Sequence, residues 1–181
     1  MPYSQGVARV GKRVRQWLVF VHVAVSVGWM GAGAANVVLA GVALGADPAT
    51  AAAAYRFVDV VDWWLVIPLA FAALVSGVVV ALASPWGLTR YWWVLVKLVL
   101  TVAVIVWSTL AVGVWVEQSV VAFAAGDSTS PVGRALVTGA ALNIAAFLFM
   151  TWASVATPWG RTPWAPARRR AGRAAAARTP A

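Results

Sequence analysis

Four long apolar stretches, separated by short polar segments, set the hydrophobic pattern of the chain. They cover residues 17–44, 58–83, 91–124 and 132–157. Each is long enough to cross a bilayer, which takes about 20 apolar residues in a helix. None shows the alternation typical of a strand, and only helices and closed barrels can span lipid. The pattern therefore predicts an all-α membrane protein, a bundle of four transmembrane helices.

Two short motifs recur along this pattern. A-S-P-W-G at Ala83–Gly87 and A-T-P-W-G at Ala156–Gly160 each end an even-numbered stretch, at an offset of 73. The odd stretches begin alike, because Arg15–Ser26 aligns with Arg90–Thr101 at an offset of 75. Matches at Arg, Trp, Pro and Gly favour two tandem hairpins related by a pseudo-two-fold axis along the membrane normal. The alternative is chance similarity among valine-rich helices.

Composition and charge placement agree with a membrane location. The chain is 62% hydrophobic and 10% charged, and its net charge is +9. The excess lies in the segment 1–16 and in the tail 161–181, which flank a membrane domain of residues 17–160. Such tails suit anionic lipid headgroups, and no nucleic-acid partner is expected. The tail has too few large apolar side chains to pack and is predicted to be disordered.

The positions of Lys and Arg predict the orientation. Both tails and the segment around Arg90 are basic, whereas the loops 45–56 and 126–134 carry one Arg each together with acidic residues. The positive-inside rule then places both termini in the cytoplasm of a bacterium, with the protein multi-pass in its plasma membrane.

Small residues at helical spacing predict close helix packing, and the two asparagines predict interhelical hydrogen bonds. The residues in this set are Ala24, Gly28, Ala32, Asn36, Ala73, Gly77, Ala81 and Asn143.

Two groups of polar residues are candidates for function, since ionisable groups at membrane depth are often functional. A cytoplasmic-side polar pocket would contain His22, Ser26, Lys97 and Thr101, which occupy matched positions in the two repeats. The alternative is that Lys97 extends to the headgroups and His22 makes one hydrogen bond inside the bundle. An external ionisable cluster would contain Arg56, Asp59, Asp62, Glu117 and Arg134. Its carboxylates at a helix start could instead serve only the helix dipole.

The chain resembles a group of small actinobacterial integral membrane proteins of unknown function. The resemblance rests on HVAVSVGWMGAGAA (His22–Ala35), AYRFVDVVDWWLVIPLAFAALVSG (Ala54–Gly77) and SPWGLTRYWWVLVKLVLT (Ser84–Thr101). It extends to about Leu110, and the fourth stretch and the tail carry little of it. It implies a four-helix membrane protein and supplies no catalytic residues.

The chemistry that the sequence lacks narrows the function. The chain has no cysteine and one histidine, and it carries no Walker-type loop, HExxH motif or evident catalytic triad. We therefore expect no catalytic activity and no metal. No cofactor is expected either, although two copies of His22 in a dimer could share a haem. The leading expectation is an accessory or scaffold subunit that contacts itself or a larger membrane partner. The alternatives are a small transporter or proton-coupled permease, and a haem- or quinone-associated redox subunit.

Overall fold

The computed structural model describes residues 11–165 and contains four helices long and apolar enough to cross a membrane. They are the first span (Lys12–Ala43), the second (Pro48–Leu82), the third (Trp92–Ala124) and the fourth (Gly133–Ala156). The predicted fold class, an all-α four-helix membrane bundle, is confirmed. The first ten residues and most of the predicted tail lie outside the described residues.

The second and third spans are each interrupted by a short π-helical segment. The first span is helix α1, and the second consists of α2 (Pro48–Val61), π1 (Asp62–Val66) and α3 (Ile67–Leu82). The third consists of α4 (Trp92–Trp107), π2 (Ser108–Val112) and α5 (Gly113–Ala124), and the fourth is α6 (Gly133–Ala156). Spans that follow one another in the chain are also neighbours in space, and α1 packs against α6, which closes the bundle into a ring.

Two buried clusters hold this ring together. One combines side chains from all four spans around Trp29, whose ring meets that of Phe147 edge-on at 4.5 Å. The other lies towards the loops 44–47 and 125–132 and is centred on Tyr55 and Leu136, both 1% exposed. Most other large apolar side chains point outwards, as the lipid-facing surface of a membrane bundle requires.

The second span begins ten residues earlier than the hydrophobic pattern predicts. The segment 48–57, predicted as part of a loop, is helical. Asp47 is the N-cap, and its Oδ1 accepts hydrogen bonds from the backbone N–H groups of Ala49 and Thr50 at 3.0 and 3.1 Å. Pro48 then occupies the first helical position, where its fixed φ is favourable. The hydroxyl and the N–H of Thr50 both donate to the carboxylate, and they hold the pKa of Asp47 below its ordinary value.

At the end of the bundle where the first span begins and the fourth span ends, here called the terminal end, the segment after the fourth span is tied to the loop between the hairpins. The backbone N–H of Thr162 donates to the carbonyl of Arg90 at 3.0 Å, and that of Trp92 donates to the carbonyl of Gly160 at 3.3 Å. The carbonyl of Thr89 accepts from Thr162 Oγ1 and from Trp164 Nε1. Residues 161–165, the start of the predicted disordered tail, are thus held by hydrogen bonds, and the disorder of the tail stays a prediction.

Candidate functional site

Polar side chains inside the first hairpin, which the first and second spans form, meet in two pairs. The first pair lies towards the terminal end of the bundle, where His22 Nδ1 is 3.0 Å from Ser76 Oγ. The half-buried imidazole lies directly over Gly77, and a Cβ on that glycine would lie 3.0 Å from His22 Cε1. Gly77 therefore leaves the space that the ring occupies.

The second pair of this hairpin joins Asn36 of α1 to Asp62, the first residue of π1. Asn36 Nδ2 donates to Asp62 Oδ1 at 2.7 Å. Asn36 is 5% exposed, and its other side-chain polar atom, Oδ1, is buried without a hydrogen-bond partner among the described residues. π-Helical turns are rare in proteins, and those that occur are often found at functional sites.

The second hairpin, formed by the third and fourth spans, also contains polar pairs. Lys97 Nζ donates to Ser154 Oγ, and it lies 5.5 Å from the centroid of the Trp93 ring. Thr101 Oγ1 is 3.3 Å from Met150 Sδ. Trp93 precedes Lys97 by one helical turn, so the ammonium group points towards the terminal end of the bundle.

A further pair in this hairpin involves the second π-helical segment. Asn143 Nδ2 donates to Ser108 Oγ at 2.8 Å, and Ser108 is the first residue of π2. Each π segment thus begins at a residue that accepts a hydrogen bond from an asparagine on the neighbouring span of its hairpin.

The four residues of the predicted cytoplasmic-side pocket are divided between the two hairpins. His22 pairs within the first hairpin, Lys97 and Thr101 pair within the second, and Ser26 is half-buried with no side-chain hydrogen bond inside residues 11–165. Two shallow concavities of the described chain lie elsewhere, beside Trp17 and beside Glu117. The geometry gives His22 and Lys97 separate partners.

The five residues of the predicted external cluster do not form one group. Arg56, Glu117 and Arg134 are exposed and form no ion pair within residues 11–165. Asp62 turns inwards to Asn36, and Asp59 precedes it by one helical turn on the same span. What remains of the cluster is a pair of carboxylates, one of which reaches the bundle interior.

The predicted packing residues divide between interior and surface. Asn36, Ala73 and Ala81 are buried, and a Cβ on Gly28 would lie 3.4 Å from Leu69 Cδ1. Ala32 is half-buried, whereas Ala24 lies on the exposed side of the first span. Asn143 makes the interhelical hydrogen bond to Ser108 described above.

Three serine partners, Ser76, Ser108 and Ser154, were not among the residues predicted from the sequence. Each is a hydroxyl residue within a strongly apolar stretch, and this was a usable signal. Choosing the partner also requires the register between helices, which the sequence pattern does not contain.

Among residues 11–165 there is no group of three or more His, Cys, Asp or Glu that could hold a metal ion.

Comparisons of the chain with protein-family models, with curated proteins and with solved structures found no match.

Proposed function

We propose that the protein is a small accessory or scaffold subunit that works through helix contacts of its first span with a second copy of itself or with a larger membrane protein. The observation that carries this proposal is a stripe of exposed residues along the first span, here called the first-span stripe. Its positions repeat every seven residues (17, 24, 31, 38 and 20, 27, 34, 41). Its members are Trp17, Phe20, Ala24, Val27, Gly31, Ala34, Val38 and Gly41, and all are exposed.

The centre of the first-span stripe is unusually small for a lipid-facing surface. A Cβ on Gly31 or Gly41 would meet no atom within 4 Å. The exposed side of the second span carries large side chains instead, among them Trp64, which is 77% exposed, and Phe71, which is 54% exposed. Small residues allow two membrane helices to approach closely, and a seven-residue repeat matches the left-handed crossing of most membrane bundles.

The orientation and location belong to the same proposal. The basic residues at the terminal end of the bundle support cytoplasmic termini in a bacterial plasma membrane, with anionic headgroups around the tails. The loop 125–132 would then lie outside the cell.

Cysteine cross-linking in native membranes tests the stripe, because the chain has no cysteine of its own. Gly31→Cys and Val38→Cys should give a cross-linked homodimer or an adduct with one larger protein. Val60→Cys, exposed on the second span at about the level of Val38, is the matched control and should give neither. Equal cross-linking of Val60→Cys and Val38→Cys would contradict the proposal. Ser128→Cys should react with an impermeant reagent in intact cells, and failure to react would reverse the orientation.

A second candidate function, a proton-coupled permease, is supported by the carboxylate that reaches the bundle interior at Asp62. Reconstituted protein would then carry a proton flux across liposomes, and Asp62→Asn should abolish it. Flux that survives this substitution would remove the second candidate. A redox subunit has no comparable support, because His22 is already engaged with Ser76 and packs on Gly77.

A further inference from the structure

The hydrogen bonding of Asn36 is incomplete in a way that points to a specific ligand. The amide is almost wholly buried, and its Nδ2 donates to Asp62 Oδ1 at 2.7 Å. Its Oδ1 is buried with no donor among the described residues. A buried polar atom without a partner costs about 1–3 kcal/mol, so such atoms are rare unless something else supplies the missing bond.

The charges around Asp62 also leave something missing. The first span packs against π1, and at this level it contributes the neutral Asn36. Its basic groups lie far away, since His22 is about four helical turns earlier and the Lys and Arg residues of α1 precede His22. On the second span the nearest charge is Asp59, which repels a second negative charge, and α5, which packs against α2, adds the acidic and exposed Glu117. Within the described chain, no cation faces an ionised Asp62.

We propose that Asn36 and Asp62 form a proton-binding site, in which the ligand is a proton carried by Asp62 Oδ2. A protonated carboxyl group presents one acceptor and one donor, and a primary amide presents the complementary donor and acceptor. The proton on Oδ2 would be donated to Asn36 Oδ1, while the existing bond from Nδ2 to Oδ1 of Asp62 remains. Loss of the proton to water breaks one of these two bonds and leaves both an orphaned acceptor and a buried charge.

The π-helical turn explains how the carboxyl group comes to face the amide. In π1 the N–H of Ile67 bonds to the carbonyl of Asp62, five residues back. One extra residue in a turn rotates the preceding helix by about 100° relative to the following one. The insertion lets α3 keep Ser76 opposite His22 while Asp62 keeps its position opposite Asn36.

Infrared difference spectroscopy of the protein in liposomes tests the site, with pH changed between about 4 and 9. We expect a protonated-carboxyl C=O band that appears reversibly on acidification, in sodium-free and sodium-containing buffer alike. Asp62→Asn should remove this band. Asn36→Leu should keep it and move it to higher frequency, because the carboxyl group loses its hydrogen-bonded partner.

Two control variants make the result specific. Asp59→Asn removes the neighbouring carboxylate, and Asn143→Leu makes the same amide-to-leucine change at the other π segment. Both should retain the band at an unchanged frequency. The proposal is overturned if Asp62→Asn leaves every titrating band in place, or if sodium ions suppress the band in proportion to their concentration, which would indicate a metal cation at this position. The spectrum can show the site even if liposome flux and cross-linking both fail, because it does not depend on transport or on docking.

Discussion

The two π-helical segments of the bundle share a backbone device but differ in the group that begins them. In π1 an asparagine meets a carboxylate, and in π2 an asparagine meets a serine hydroxyl. Asn36 is buried with an oxygen that has no partner among the described residues, whereas Asn143 is half-buried. The same amide and the same turn thus accompany a titratable group in one hairpin and a neutral packing contact in the other. The acceptor that meets the amide, and not the amide itself, sets the chemistry open to a membrane asparagine.

The two hairpins also differ in register, which bears on the predicted duplication. In the first hairpin the polar partners have the same separation on both spans, from 22 to 36 and from 62 to 76. In the second hairpin the polar partners are also equally separated on both spans, but by eleven residues, from 97 to 108 and from 143 to 154. The sequence alignment would place Phe149 opposite Lys97 as the equivalent of Ser76, but Ser154 lies there, five residues later. The recurring motifs therefore do not carry a recurring set of contacts, and the repeat stays a prediction.

Replacing each asparagine in turn should show the largest difference in stability between the two π-helical segments. Asn36→Leu should lower the free energy of unfolding by about 2–3 kcal/mol, because the carboxyl group of Asp62 is left buried without its partner. Asn143→Leu should cost about 1 kcal/mol, in the range of neutral interhelical hydrogen bonds. Unfolding in mixed micelles at neutral pH measures both. Adding Asp62→Leu to Asn36→Leu should restore most of the loss, since no unpaired carboxyl group remains. Equal costs for the two asparagines would remove the distinction.

Two glycines that pack against an aromatic side chain of the neighbouring span, one in each hairpin, should show a smaller difference in stability. A Cβ on Gly139 would lie 2.9 Å from Trp115 Cζ3 and 3.3 Å from Val112 Cγ2, so Gly139→Ala should cost about 1–3 kcal/mol through overpacking. Gly77→Ala should cost less, because the imidazole of His22 can move away by giving up its bond to Ser76, worth about 1 kcal/mol. Thermal unfolding measures both costs.

Two controls accompany the glycine prediction, a glycine whose added Cβ would contact nothing and a double variant that removes the His22 ring. Gly45→Ala, which lies outside the first-span stripe and where the added Cβ meets nothing, should be neutral or slightly stabilising. His22→Ala combined with Gly77→Ala should show no further loss beyond His22→Ala alone. An additive double variant would mean that the ring does not determine the space at Gly77.

The smallest expected effect concerns how the helices of the two hairpins begin. The second span has Asp47 as a side-chain cap, whereas the fourth span follows Val132 and has none. The pKa of Asp47 is lowered in the folded state, so its contribution is present above its unfolded value of about 3.9 and is lost as pH falls through the lower folded value. Asp47→Asn should therefore make the free energy of unfolding fall slightly less steeply as the pH is lowered. Circular dichroism between pH ~2 and ~5 measures it, and an unchanged limb would contradict the cap's role.

The sequence predicted what depends on composition along one chain and missed what depends on contact between helices of the bundle. Apolar length alone located all four spans. The early start of the second span was readable, because Asp47-Pro48-Ala49-Thr50 is a good N-terminal capping sequence, but the hydrophobic pattern outweighed it. The first π segment was readable in part, because Pro68 directly after it cannot donate an i→i−4 hydrogen bond and disfavours an ordinary α-helical turn at this point, whereas nothing in S-T-L-A-V gives such a signal. The external cluster was predicted from residues near the ends of apolar stretches, and the sequence did not show that Arg56 and Asp59 lie within a helix that begins at residue 48.

The ties at the terminal end of the bundle impose an order of events during synthesis. The carbonyl of Thr89 is made 73 residues before the hydroxyl of Thr162 that donates to it, and the indole N–H of Trp164 comes later still. At about 5–20 residues per second, the first hairpin is complete for about 4–15 s before those donors exist. During that interval the loop between the hairpins must satisfy this carbonyl with water or a chaperone. The hydrogen bonds from residues 161–165 to the loop between the hairpins are therefore the last contacts of the bundle to form during synthesis.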